Sequence, residues 1–222
     1  MSPNIARMFT MRIVGAETEA GARARLLITN SFRTRLNAYP STNHKRYLVV
    51  ETMVNGVPTI AAGSSITFAH EQPLFSEIYF PDVLQERIGR EFEVDCERRA
   101  ICEIGSLSTD PSLVRSVKHV VAYFPWFATR LGCEFALVTV TSYMRLALSH
   151  SGAPFEPFCS ADPAKLTPEE RIRWGNYYKF DPQTGVIDLK RLDFLDGIAT
   201  PGARQNEVGI ELGCFGKVEA CS

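Results

Sequence analysis

The stretch Ile101-Cys102-Glu103-Ile104-Gly105-Ser106-Leu107-Ser108 decides how the rest of the chain is read. It places one carboxylate inside an otherwise apolar segment. Thr109-Asp110-Pro111 follows, and Asp110 is a natural helix N-cap with Pro111 suited to the first helical position. Burying a charge is costly unless it is paired or used, so Glu103 marks a site rather than a scaffold position. Alternation along a strand puts Cys102 and Glu103 on opposite faces. A nucleophilic cysteine needs its base on its own side, which argues against covalent catalysis by Cys102.

Downstream, Val117, Val120, Val121, Phe124, Phe127, Ala128 and Leu131 recur at helical spacing, so the pattern predicts a helix over 112–131 closed by Gly132. Pro125 falls inside it and must kink or split it. Phe135–Val140 is apolar on both faces, as a central strand buried on both sides would be. Ser142 is expected to cap a short helix through Leu148, stopped at Gly152, with Phe155 and Phe158 in the last core strand.

Upstream, Phe9–Val14 reads as a strand and Thr18 to Leu36 as a helix. Tyr47–Val54 and Ile60–Ala69 form a hairpin around Asn55-Gly56, the pair that type I′ turns favour, with Gly63 marking a bulge or close approach. Thr167-Pro168-Glu169-Glu170 starts another helix. Beyond Thr200 large apolar residues are few, so loops or an extension are expected.

The chain has 222 residues, 45% apolar and 22% charged, with a formal net charge of −1. This is ordinary globular composition with enough apolar surface for a core. No basic stripe favours nucleic acid, and the arginines at 23, 25, 33 and 35 read as one solvated helix face. No apolar run approaches the ~18 residues of a membrane span, and Met1-Ser2-Pro3-Asn4 does not open a usual secretion signal. The six cysteines are irregularly spaced and form no Cys-x-x-Cys, so reduced thiols in a cytoplasmic protein are expected. The four histidines make no pairs at zinc-ligand spacing, so no metal is expected.

The order strand–helix–strand–strand, then strand–helix–strand–helix–strand, resembles the GNAT acyltransferase fold. That resemblance implies an α/β architecture: a mixed central sheet flanked by helices, in which two neighbouring parallel strands splay to admit a pantetheine arm. Here these would be Ile101–Ser108 and Cys133–Thr141. Leu74–Ile88 with Cys102–Ser106, and Val138–Arg145, are similar to acyl-homoserine lactone synthases. Four motifs in order resemble the thermostable hemolysin family: Phe75-Ser76-Glu77-Ile78-Tyr79, Glu103-Ile104-Gly105-Ser106-Leu107-Ser108, Ala161-Asp162-Pro163-Ala164-Lys165-Leu166 and Trp174-Gly175-Asn176-Tyr177-Tyr178. A GNAT-like domain over 1–160 and a C-terminal extension over 161–222, packed on the same domain, are expected.

The resemblance implies an N-acyltransferase of specialised or signalling metabolism, moving an acyl group from a phosphopantetheine thioester to a small-molecule amine. The usual glycine loop before the central helix is replaced by Thr109–Ser116, which has no glycine and carries Asp110. Free CoA binding in the usual manner is therefore disfavoured against an acyl or peptidyl carrier protein, whose single phosphate Arg115 or Arg145 would hold. The usual tyrosine acid is Leu148 here. Glu103 is the expected proton acceptor, the plainer reading being an outward Glu paired with an Arg. Glu77 is the expected second carboxylate, the plainer reading being a helix-start cap. Leu107, Ser108 and Thr109 are expected at the splayed end, Ser142, Tyr143 and Arg145 at an anion-attracting helix start, and Trp174, Tyr177 and Tyr178 as a pocket wall. A homodimer is compatible with this reading. Two rivals stand beside it: a non-catalytic binding protein on the same fold, and a membrane-active haemolysin-like protein, which the composition disfavours.

Overall fold

A computed structural model describes residues 8–41, 43–114, 117–195, 199–202 and 209–212. The elements run β1 (Phe9–Gly15), α1 (Glu19–Leu36), β2 (Arg46–Val54), β3 (Val57–Phe68), α2 (Leu84–Phe92), β4 (Ile101–Thr109), α3 (Tyr123–Thr129), β5 (Phe135–Val140), α4 (Ser142–His150), β6 (Phe155–Ser160), α5 (Pro168–Arg173), β7 (Gln183–Asp188), β8 (Ala199–Gly202) and β9 (Gly209–Leu212). One mixed sheet takes the order β6-β7-β5-β4-β3-β2-β1-β9-β8. Among the described residues only the β4–β5 contact is parallel.

Local chemistry explains most of these elements. Thr18 caps α1 by accepting from the Gly21 amide, and Asn37 ends it in the left-handed conformation. Asn55 and Gly56 both take positive φ, 51° and 78°, so the β2–β3 turn forms as expected. Thr167 and Glu170 form a reciprocal capping box at the start of α5.

The sheet separates two bodies of core. On one face Cys102, Ile104, Val120, Phe124, Trp126 and Phe127 join the main cluster. On the other, Leu74, Tyr79, Ile88, Ile101, Phe135 and Leu137 pack together, beside a third cluster around Ile28, Phe32, Tyr47 and Tyr177. Alternation along β4 thus sends Cys102 to one face and Ile101 to the other.

Three expectations need correction. The helix over 112–131 is not one helix. Asp110 closes a turn instead, its carboxylate accepting from the Ser112 amide and hydroxyl, and a 3-10 turn at Val117–His119 precedes the short α3. Every residue from Tyr123 to Ala128 is buried, so the segment is apolar all round rather than on one stripe. Pro125 falls in the first turn of α3, where its missing amide hydrogen removes no intrahelical bond. Second, α4 is capped by Thr141, which accepts from the Met144 amide, and not by Ser142. Third, β6 is not the last core strand. Gln183–Asp188 enters the sheet between β5 and β6, so the sheet draws strands from both sides of residue 160. Among the described residues no helix is long and apolar enough to cross a membrane.

Candidate functional site

β4 and β5 pair at Ile101–Phe135, Cys102–Ala136 and Glu103–Leu137, and there the pairing ends. β4 continues to Thr109 and β5 to Val140, so the two strands part directly after Glu103. The cause lies on the opposite edge of β4. The register with β3 slips between Gly63–Ser108 and Ser65–Gly105, so two residues of β4 face one of β3. Ser106 takes φ 57°, uncommon for a residue other than glycine, and the Ser64 hydroxyl donates to the Gly105 carbonyl at 2.7 Å. A bulge of this kind bends its strand and raises local twist, which carries β4 away from β5.

Beside this wedge lies a cavity of about 480 Å³, within the usual range for small-molecule sites. Its walls come from Ser65 and Thr67 of β3, Glu103 to Ser106 of β4, Thr139 of β5, the segment Gln72–Ser76, Tyr79, and the aromatic rings of Phe32, Trp174 and Tyr177. Pro40, Ser41, Asn43, His44, Glu170 and Arg173 complete the lining.

Glu103 is held tightly. One carboxylate oxygen accepts from the Phe75 amide at 2.8 Å; the other accepts from the Ser76 amide at 2.9 Å and the Ser76 hydroxyl at 2.5 Å. It therefore caps the 3-10 turn Phe75–Tyr79 from a strand 27 residues away. The Ser76 hydroxyl also lies 2.7 Å from that of Thr139, which lies 2.7 Å from that of Thr184. A carboxylate only accepts, so the ionised state of Glu103 fixes the direction of this chain: Thr184 donates to Thr139, Thr139 to Ser76 and Ser76 to Glu103. Burial raises the pKa of Glu103 above the ordinary carboxylate value, and the hydrogen bonds from Ser76 and Phe75 oppose that rise without cancelling it.

Glu77 is placed differently. Arg98 grips its carboxylate with both terminal nitrogens, at 2.6 and 2.8 Å, and the Leu74 amide donates to it at 2.7 Å. Burial alone would raise its pKa, but the Arg98 and Leu74 hydrogen bonds outweigh burial and hold the carboxyl below its usual value. It is not among the residues that line the cavity.

Trp174 and Tyr177 line the cavity, whereas Tyr178 stands behind it with its hydroxyl against that of Tyr79. Tyr177 is buried, and its hydroxyl donates to the Thr139 carbonyl at 2.8 Å. Burial raises the pKa of both Tyr177 and Tyr79, so both remain hydrogen-bond donors. Leu107 packs toward the main core, and Ser108 and Thr109 are buried in register with Gly63 and Ala62 of β3. The cavity takes Ile104, Gly105 and Ser106 in their stead. Ser142 and Tyr143 are exposed on the first turn of α4, away from the cavity lining. Arg145 binds the Asp181 carbonyl and carboxylate, both at 2.6 Å. Arg115 lies outside the described residues.

Of the lining residues, the sequence reading named only Glu103, Trp174 and Tyr177 as functional candidates; Ser76, Tyr79, Thr139 and His44 are among those it missed. Ser76 and Tyr79 lay inside a quoted motif, and Thr139 was the one polar residue in an apolar strand. His44 donates through Nε2 to the Ser41 carbonyl at 3.1 Å, and burial lowers its pKa against that bond.

A central mixed sheet flanked by helices, with one parallel pair splayed beside a cavity, defines the GNAT-like fold. The chain belongs to the thermostable hemolysin family, whose model matches residues 14–192. A search of curated proteins found no match. Among solved structures, the chain is similar to FeeM, an N-acyl amino acid synthase from uncultured soil microbes. The TM-score is 0.57 at 10% identity, covering 87% of this chain and 98% of that one. It also matches MesI, a CoA-dependent acyl-homoserine lactone synthase, at TM-score 0.46 and 16% identity over 87% and 97% of the two chains. The aminoglycoside acetyltransferase AAC(6')-Ib, in complex with coenzyme A and kanamycin, matches at TM-score 0.44 and 11% identity over 85% and 99%. At 10% identity the likeness to FeeM speaks for the fold alone.

Proposed function

We propose that this protein is an N-acyltransferase that moves an acyl group from a phosphopantetheine thioester to the amine of a small metabolite. The observation that carries the reading is the wedge. Strand pairing stops at Glu103–Leu137, the backbone of β4 beyond it is released from β5, and Glu103 faces a cavity at that point. Aminolysis of a thioester requires an oriented amine, a proton acceptor and stabilisation of developing charge. A carboxylate offers about four acceptor positions, and three donors are already on Glu103. The remaining position takes the acceptor amine, first as a bound ammonium ion and then through loss of its proton. The raised pKa of Glu103 suits it to hold that proton. We assign Glu77 to clamping the Phe75–Tyr79 turn through Arg98, which keeps the cap of Glu103 in place.

The loop after β4 favours a carrier-protein donor over free CoA. The amides of Ser112, Leu113 and Val114 all donate to Asp110, to its carboxylate or its carbonyl. A pyrophosphate cradle needs such amides free. Intact-mass detection of acyl transfer from a panel of acyl-CoA and acyl-carrier-protein thioesters to a panel of amines tests the reading. Transfer from the carrier protein is expected to dominate. Folded protein that transfers to no amine and binds no thioester would leave the non-catalytic binding reading in its place.

A further inference from the structure

Where a strand leaves its neighbour, the carbonyls it had faced lose their partners and must find others. Thr139 stands two residues past Leu137, the last β5 residue paired with β4. Its carbonyl is taken by the hydroxyl of Tyr177, at 2.8 Å, a residue that arrives from beyond α5. The ring is fixed by Trp174, Tyr178 and Phe32, with centroids 4.8, 5.5 and 6.4 Å away. The hydroxyl therefore sits at the mouth of the wedge, on a rigid mount, and the same side chain lines the cavity.

We propose that the Tyr177 hydroxyl is the hydrogen-bond donor to the departing sulfur when the thioester is attacked. The inference rests on the acyl-transfer reading above. An amide of the thioester arm pairs with the Thr139 carbonyl as a neighbouring strand would, and the hydroxyl turns from that carbonyl to the sulfur. The amine nitrogen bonds to the acyl carbon, the carbon–sulfur bond breaks, and its electron pair goes to sulfur. The bound ammonium gives one proton to Glu103, which passes it to solvent before attack; as the amide forms, the nitrogen loses its second proton by the same route. Tyr177 keeps its own proton throughout: a tyrosine, of pKa about 10, is a weaker acid than an alkyl thiol, of pKa about 8.5, and burial weakens it further. The thiolate leaves hydrogen-bonded and takes a proton from water.

The test compares Tyr177→Phe with the parent protein on three thioesters of one acyl group: a pantetheine-type alkyl thioester, a more acidic alkyl thioester and an aryl thioester. Hydrogen bonds to charged groups set the scale, so the alkyl thioester should lose about 10- to 100-fold in kcat. The aryl thioester, whose thiolate needs little help, should lose less than about threefold on the same reasoning. Rate plotted against leaving-thiol pKa should be steeper in the variant, a readout that survives a general loss of folded protein. Equal losses on all three thioesters, or no loss on the alkyl one, would overturn the assignment while leaving acyl transfer intact. A parent protein that transfers from none of them would remove the acyl-transfer reading itself, and this assignment with it.

Discussion

Replacing Glu103 by Gln separates what the carboxylate does for the fold from what it does for chemistry. The amide keeps the size of the carboxyl group but turns one acceptor oxygen into a donor. If its oxygen stays with Ser76, the new NH₂ group meets the Phe75 amide hydrogen. If the amide is flipped, it meets the Ser76 amide hydrogen while donating to the Ser76 hydroxyl. Either way one backbone N–H of the Phe75–Tyr79 turn loses its acceptor, since both amides now bond to this one carboxylate. A half-buried donor left without a partner costs about 1–3 kcal/mol. Taking about 2 kcal/mol, a chain of this length should lose about 4–8 °C in Tm. Thermal unfolding gives the size of the effect, and amide hydrogen exchange locates it: Phe75 and Ser76 should lose protection while β4 keeps its own. Acyl transfer by the same variant should fall by about 10²-fold or more, the scale of a lost general base. An unchanged Tm together with unchanged exchange at Phe75 and Ser76 would refute the capping geometry and the reasoning built on it.

The two carboxylates should bend the stability curve in opposite directions. Glu103 has a raised folded pKa, so its contribution is complete below the ordinary value of 4.5 and is lost as pH rises through the raised one. Glu77 has a lowered folded pKa, so its contribution is present above 4.5 and is lost as pH falls through the lowered one. Urea midpoints across pH 2–8 should show the acid-side loss shrink in Glu77→Gln, and an unchanged acid limb would count against the Arg98 clamp. Arg98→Ala should cost about 2 kcal/mol, between exposed and buried ion pairs, measured by urea unfolding at pH 7. Gly175→Ala should detach the aromatic wall. Gly175 has φ 52°, and a Cβ there would stand 2.1 Å from the Asn37 carbonyl oxygen. Backbone atoms cannot yield as a side chain can; tryptophan fluorescence should shift to the red and Tm should fall.

Much of the fold was legible from pattern. The Asn55-Gly56 hairpin and α1 with its Thr18 start follow from local chemistry that the structure repeats; β4 and β5 follow from their apolar runs, and their parallel pairing from the resemblance to GNAT enzymes. The splay after Glu103 was expected from the resemblance to GNAT enzymes, and strand pairing ends there. The helix across 112–131 misled because Tyr123–Ala128 is buried on every side, so apolar residues at helical spacing there do not mark one face of a long helix. β7 was missed because Gln183-Thr184-Gly185-Val186-Ile187-Asp188 is short and framed by polar residues. It becomes a strand because β5 and β6 both offer it edges, which is information held far away in the chain. The partners of the site carboxylates were hidden for the same reason. Glu103 finds Phe75 and Ser76, and Glu77 finds Arg98, across separations that no local pattern encodes. Neither reading of Glu103, as proton acceptor or as outward Glu paired with an Arg, anticipated a carboxylate that caps another element while facing a cavity.

The insertion of β7 between β5 and β6 also orders events at the ribosome. Until residue 188 has emerged, β6 has no partner in the sheet, and β5 presents an open flank next to the wedge. Unpaired edges of this kind invite aggregation. A nascent chain shielded by a holding chaperone through that interval should mature in higher yield than one left unattended.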